Sequence, residues 1–471
     1  MNKNGVVTPS SGDQPTLDCG DTLEIMAATR SSARSQINIL PPELLLEIFS
    51  ISKSCCMRDS KSYFQNFASV CGYWRQLAFG EPRLWTHVDI GPGMPLWLSK
   101  LILARSECSP IHIHMHISRV PHPNFTTERE KDSIFELMTP HIRRVRTLGI
   151  LVCPAAEALV ASTLSLWLDR GDPSVAKSLW IRRPHATSTI FYRPTKQEDE
   201  SAARQGNSEA MINALTQLKL QRIILNWDVH TYRGLFDLHL SFKKPHFSAS
   251  ISDRLLARIL SANPCLVNLK ISNLTVNRTD STEPVEPVLL NHLQNLGIFE
   301  MTRATLDCLL PIIRVPESSE ISVGITPRYP IECTIKEFLL SARVTSLYWY
   351  NCAQLPFSSY HVEFLKSLPH LRTLVLDKHL IPSSLSRDPN VVLSPLVLVT
   401  LLKCRISLEG LKNFVSICGT QELHIEKCRE VLDGDDIEKL GGFHKELYPT
   451  LKVHVTNTSS VMRLSYCSSH I

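Results

Sequence analysis

From Leu266 onward one short aliphatic pattern, L-x-x-L-x-L-x-x-N/C, recurs eight times, and its spacing restricts the fold more than any other feature of the chain. Its starts fall at Leu266, Leu293, Ser318, Val344, Leu371, Leu396, Thr420 and Tyr448, at intervals of 27, 25, 26, 27, 25, 24 and 28 residues. The fourth positions, Leu269, Leu296, Ile321, Leu347, Leu374, Val399, Leu423 and Leu451, are all aliphatic. The sixth, Ile271, Ile298, Val323, Trp349, Leu376, Leu401, Ile425 and Val453, are all apolar. Such alternation points every second side chain of a short strand into one buried layer. Cys352, Cys404 and Cys428 take the ninth position, where a small side chain suits a crowded inner turn.

Helical patterns separate these strands, as in Leu255/Leu256/Ile259/Leu260, Val362/Phe364/Leu365/Leu368 and Leu408/Leu411/Phe414/Val415. Strand alternating with helix at this period predicts an α/β, leucine-rich-repeat-like solenoid over residues 266–456, with a curved parallel sheet and helices on its convex side. Residues 91–265 read as a less regular stretch of the same kind. There Leu148/Ile150/Cys153, Leu179/Ile181 and Ile223/Leu225 resemble strand cores. The polar stretch 193–210 reads as an insertion loop, Asn277 to Pro287 as another, and 457–471 as a tail.

The N-terminal 36 residues, rich in Ser, Thr, Asp, Gly and Gln, show no apolar period and read as a disordered leader. The character changes at Ile37. Leu40-Pro41-Pro42 opens a helix, because proline is tolerated in a first turn whose N–H groups have no helical partner. Leu44, Ile48 and Ile51 fall on one stripe, with Leu45 and Phe49 beside it. A second helical pattern runs from Phe64 through Val70, Cys71 and Trp74 to Ala78, and stops at Gly80-Glu81-Pro82. A helical unit of this size is too small to bury Leu40, Leu44, Ile48, Phe49, Trp74 and Trp85 by itself, so those side chains must cover something else.

Composition excludes several classes. Fifty Lys+Arg against 45 Asp+Glu leaves a net charge of +5 with no dense basic run, so nucleic acid is not implied. The longest apolar stretch, Val391 to Leu402, is too short to span a bilayer. No secretory signal is visible, and the 14 cysteines form no C-x-x-C pair, which predicts reduced thiols and an intracellular protein, cytoplasmic and/or nuclear. Phosphate-loop, dinucleotide, nucleophile-elbow and H-E-x-x-H motifs are all missing, so no catalytic residue, cofactor or metal is expected.

LPPELLLEIF, ASVCGYWRQLA and EPRLWTHVDI arrive in that order between residues 37 and 90, and together they resemble the F-box motif of numerous F-box proteins of mushroom-forming fungi. The following WLSKLILARSECSPIHIHMHI and the irregular leucine-rich array are similar to those proteins too. The resemblance implies a partner: the Skp-family adaptor of a cullin-RING ubiquitin ligase. It implies a first contact strip at Leu40, Pro41, Leu44, Ile48 and Phe49, a second at Val70, Cys71 and Trp74, and a closing contact at Leu84 and Trp85. The chain would then be a non-catalytic substrate receptor, with the leucine-rich array holding a target protein. A solenoid scaffold that uses 37–90 as an end cap is the alternative reading.

In such a solenoid the residues alternating with the buried aliphatics line the concave face. Phe299, Tyr348 and Tyr350 are expected there as exposed aromatic anchors for a protein target, with His424 and Glu426 further along. His112, His114 and His116 alternate with Ile111, Ile113 and Met115, which puts three imidazoles on one strand face. Same-face residues on a strand lie about 7 Å apart, so one tetrahedral ion taking all three would need a bent strand, and the polar face of an edge strand is the expected reading.

Overall fold

The computed structural model describes residues 40–55, 69–91, 95–116, 128–151, 157–183, 190–192, 202–225, 232–242, 250–279, 284–326, 333–351, 356–385, 393, 395–430 and 451–456. The expected leader, the tail and Cys352 lie outside them. The chain divides into two compact units at Leu84–Trp85.

The first unit contains helices α1 (Pro42–Cys55) and α2 (Gly72–Gly80). The Pro41 carbonyl accepts from the amides of Leu44 and Leu45, at 3.1 and 3.2 Å, so the two prolines begin α1 where the sequence places them. A single 3-10 turn, Pro82–Trp85, follows α2.

The second unit is built on one sheet of fourteen parallel strands whose spatial order is the chain order. They are β1 (His87–Ile90), β2 (Ile111–His116), β3 (Val145–Leu151), β4 (Ser178–Arg182), β5 (Gln217–Gln221), β6 (Asp237–Ser241) and β7 (Asn268–Ser272). The sheet continues through β8 (Asn295–Phe299), β9 (Glu320–Ile325), β10 (Arg343–Tyr350), β11 (Thr373–Asp377), β12 (Leu398–Leu402), β13 (Glu422–Glu426) and β14 (Lys452–Thr456). Parallel neighbours need crossovers. Helices supply most of them: α3 (Leu96–Arg105), α4 (Glu128–Met138), α5 (Glu157–Arg170), α6 (Ala202–Asn213), α7 (Asp253–Ser261), α8 (Arg303–Leu309), α9 (Cys333–Ser341), α10 (Ser359–Lys366) and α11 (Leu408–Cys418).

One sheet face carries the aliphatic positions, such as Leu269/Ile271, Leu296/Ile298, Leu374/Leu376 and Leu423/Ile425, all buried. Helices lie on it. Trp349 of β10 meets Phe364 of α10 edge-on, with ring centroids 5.6 Å apart. Helix α11 buries Leu411, Phe414 and Val415, the residues its sequence period selects. Each of β7, β8, β11, β12 and β13 ends in one residue of left-handed backbone: Asn273, Glu300, Lys378, Lys403 and Lys427, with φ of 52°, 53°, 61°, 52° and 51°. The same strained turn after strand upon strand marks a repeated structural unit.

Two strands pair two residues away from the register that the repeat suggests. Leu296 sits beside Val323 rather than Ile321, and Leu423 beside Val453 rather than Leu451. A shift of two keeps every side chain on its expected face, so the hydrophobic pattern alone cannot detect it. Thr345 is the extra residue of a bulge, because Ile321 pairs with Val344 while Ser322 pairs with Ser346.

The region before Leu266 departs further from expectation. It contributes six strands, with intervals between strand starts from 20 residues (Gln217 to Asp237) to 39 (Ser178 to Gln217). Gln217–Gln221, with Leu218 and Leu220 buried, takes the sheet position expected of Ile223/Leu225. Ile223–Leu225 instead pairs with Ile190–Tyr192 in a separate two-stranded sheet. Residues 202–210, expected within an insertion loop, belong to α6. Its polar side chains are used against α5: Asn207 Nδ2 donates to the carbonyls of Leu168 and Asp169 at 2.7 and 3.0 Å, and Ser208 donates to Asp169. Strand β2 is flanked by β1 and β3, so the expected edge position is not the one it takes.

Candidate functional site

Helix α1 is apolar on two sides. Leu45 and Phe49, one turn apart, are buried, and Phe49 meets Trp74 of α2 at 4.9 Å between ring centroids. On the other side Leu44, Ile48 and Ile51 are 52, 38 and 55% exposed. Positions i, i+4 and i+7 form one continuous stripe on a helix, so these three present an apolar ridge to solvent. Val70, just before α2, and Tyr73 and Phe79, within it, are exposed as well. Six large apolar side chains are thus exposed within this short segment.

The ten residues expected in the adaptor strip therefore separate into two groups. Pro41, Leu44, Ile48 and Val70 are exposed and Leu40 is half-buried. Phe49, Trp74, Leu84 and Trp85 are buried, so their side chains are not part of the exposed surface, contrary to expectation; Phe49 and Trp74 pack on each other. Cys71 has a different task. It is the N-cap of α2, with extended backbone, and its Sγ accepts from the Trp74 amide at 3.4 Å. Ile51, Tyr73 and Phe79 join the exposed group. Ile51 was legible from the helical period, whereas Tyr73 and Phe79 belong to no stripe that the sequence marks.

The face of the sheet opposite the helices carries the polar alternation. At its β1–β4 end His112, His114 and His116 share this face, as the alternation requires, with Ile111, Ile113 and Met115 buried on the other. His87 stacks on His112 and His114, at 4.5 and 5.8 Å. The Trp180 ring lies across Gly149, where a Cβ would come within 2.1 Å of it, and so reaches His114 at 5.5 Å. Burial, with the charges of His112 and His116 behind it, pushes the His114 pKa down to about 4. In the middle, Lys219 and His239 hold Asp237 from either side at 2.7 and 3.0 Å.

Phe299, Tyr348 and Tyr350 come together on this same face, but they do not form an exposed patch. Phe299 is fully buried and Tyr348 is 1% exposed, packed with Val375, while Tyr350 lies half-buried against them. Gly297 and Gly324 remove the side chains that would separate the rings. Phe299 folds back over Gly297, Lys270 covers its ring at 5.1 Å, and Lys378 covers Tyr350 at 5.0 Å. The Tyr348 hydroxyl donates to Asp377, whose pKa burial raises. The expectation of exposed anchors is thus corrected: the cluster is a small second core, sealed by lysine stems.

Toward β14, His424 and Glu426 are half-buried on the face, and His424 stands beside His454. Among the described residues, Glu422, His424 and His454 are the one group of His, Cys, Asp or Glu whose ligand atoms lie close enough to share an ion. The three imidazoles of β2 do not converge in this way.

Residues 37–91 match the F-box-like family. The match covers the two helices, the turn and β1, and so includes every residue of the exposed ridge. No curated protein matches the chain at a significant level. The molecule is therefore a mixed α/β protein with an F-box-like N-terminal region and a large parallel sheet. No helix among the described residues is long and apolar enough to cross a membrane.

Proposed function

We propose that the chain is a non-catalytic substrate receptor of an SCF-type ubiquitin ligase. The F-box-like region docks on a Skp-family adaptor, and the sheet unit, read as a leucine-rich-repeat-like solenoid, holds the target protein. The observation that carries this reading is the solvent-facing Leu44/Ile48/Ile51 ridge within the segment that matches the F-box-like family. An apolar ridge of this kind needs a partner, and F-box regions take Skp-family adaptors. The mechanism is proximity: holding a target lysine beside a charged conjugating enzyme raises its effective concentration, and this chain contributes no reacting group. The compartment is the one in which that machinery works, cytoplasm and/or nucleus.

The test is co-expression of the full chain with a Skp-family adaptor, beside a Leu44→Asp, Ile48→Asp variant whose fold is checked by circular dichroism. Stoichiometric co-purification that disappears in the folded variant supports adaptor docking. A well-folded wild-type chain that captures no adaptor overturns it and leaves the solenoid-scaffold reading.

A further inference from the structure

We infer that Glu422, His424 and His454 form a binding site for one divalent transition-metal ion of the zinc class on the polar face of the sheet. The inference does not rest on the receptor reading. His424 and His454 are cross-strand partners on β13 and β14, and Glu422 lies two residues before His424, hence on the same face. Neighbouring strands run about 4.8 Å apart, which sets the two imidazoles side by side. Their ring centroids are 4.6 Å apart. The Glu422 Oε1 atom lies 2.7 Å from His424 Nε2 and 3.3 Å from His454 Nε2. All three ligand atoms fall within 4.8 Å of one another.

These spacings suit a metal. Zinc bonds to imidazole nitrogen and carboxylate oxygen at about 2.0–2.2 Å, so two ligand atoms on one tetrahedral ion stand about 3.3 Å apart. The Glu422–His454 pair is already at that separation. The Glu422–His424 pair is at hydrogen-bond distance and opens slightly when an ion replaces the shared proton. Two imidazoles and one carboxylate are a borderline donor set, suited to Zn²⁺ rather than to the hard cations Mg²⁺ or Ca²⁺. Three protein ligands leave a fourth position for water, and His454, with half its side chain exposed, keeps that position in contact with solvent.

The charges nearby nearly balance. Lys452 is the cross-strand partner of Glu422 and opposes a dication, while Glu426 on the same face favours one. The ligands stand on paired strands, not on loops, so the backbone fixes their spacing before the ion arrives. A bound ion would also fasten β14 to the rest of the sheet.

The probe is Zn²⁺ added to the tag-free, chelator-treated full chain, followed by isothermal titration calorimetry, with Co²⁺ as a spectroscopic substitute. One equivalent of Zn²⁺ is expected to bind and to raise the melting temperature. His424→Gln and His454→Gln should each weaken binding by at least ~100-fold, whereas His116→Gln, at the far end of the sheet, should not. The Co²⁺ form should show tetrahedral visible bands without a thiolate charge-transfer band. The inference is overturned if the folded wild-type chain binds no equivalent, if the His424→Gln, His454→Gln double variant keeps it, or if a thiolate band shows that cysteines hold the ion. The Co²⁺ spectrum of the wild-type chain decides the matter even where a variant fails to fold.

Discussion

Tyr348 and Asp377 sit on adjacent strands, and the phenol donates its proton to a carboxylate that is 4% exposed. The hydroxyl supplies what water would otherwise give that carboxylate, and it does so at the centre of the sealed aromatic cluster. Tyr348→Phe is therefore expected to cost about 1–3 kcal/mol, the penalty for leaving a buried polar group short of a partner. Urea unfolding would measure it. In a double-mutant cycle with Asp377→Asn the double variant should lose less than the sum of the two single losses. Strict additivity would show that the pair does not interact.

The two sides of α1 should respond differently to substitution. Phe49→Ala or Trp74→Ala opens the buried pair and should lower stability by about 3–5 kcal/mol with or without an adaptor. Leu44→Asp and Ile48→Asp touch only the exposed ridge and should leave the melting curve within about 0.5 kcal/mol of wild type. If the exposed-side substitutions unfold the chain instead, the ridge is covered by the protein itself.

Gly149 is required by its neighbour's indole. Adding a Cβ there forces Trp180 away from His114, so Gly149→Ala should destabilise by about 1–3 kcal/mol. Combining it with Trp180→Ala should recover part of that loss relative to additivity, because the clash partner is gone. Equal effects in the presence and absence of the indole would exclude this explanation.

His379 and His361 make the fold acid-sensitive. Burial, then the charge of His361, pushes His379 down to about 3, and burial pushes His361 to about 4, against an ordinary value of 6.5. Above pH 6.5 neither the folded nor the unfolded chain protonates these rings. Below it the unfolded chain gains protons that the folded one refuses, so stability is lost as pH falls from 6.5 toward 4. Melting temperatures across that range should fall, and less steeply in His379→Gln, whose amide can still donate to the Trp349 carbonyl as the imidazole does. An unchanged slope in the variant would place the acid sensitivity elsewhere.

Much of this fold is legible in the sequence. The period-2 aliphatics from Leu269 to Val453, with helical patterns between successive strands, point to parallel strands, and Pro41-Pro42 to the start of α1, because burial of one face and the chemistry of proline are local effects. Three things are not. A two-residue register shift leaves the hydrophobic face intact, so nothing in Leu451 or Val453 says which of them meets Leu423. The expected register would have put Lys452 beside His424; the observed one puts His454 there, and the Glu422/His424/His454 cluster stays invisible until strands are paired. Ring packing across glycines was the second: Phe299 and Tyr348 alternate as exposed residues do, yet Gly297 and Gly324 let them seal one another. The third was α6, whose polar residues look like a loop until Asn207 finds the carbonyls at the end of α5.

The identity of chain order and sheet order has a temporal consequence. Synthesis delivers β1 first and β14 last, and each strand, on leaving the ribosome, needs to find only the one just before it. Every strand after β1 meets a partner already made, so the sheet can be assembled at the pace of translation, one strand at a time.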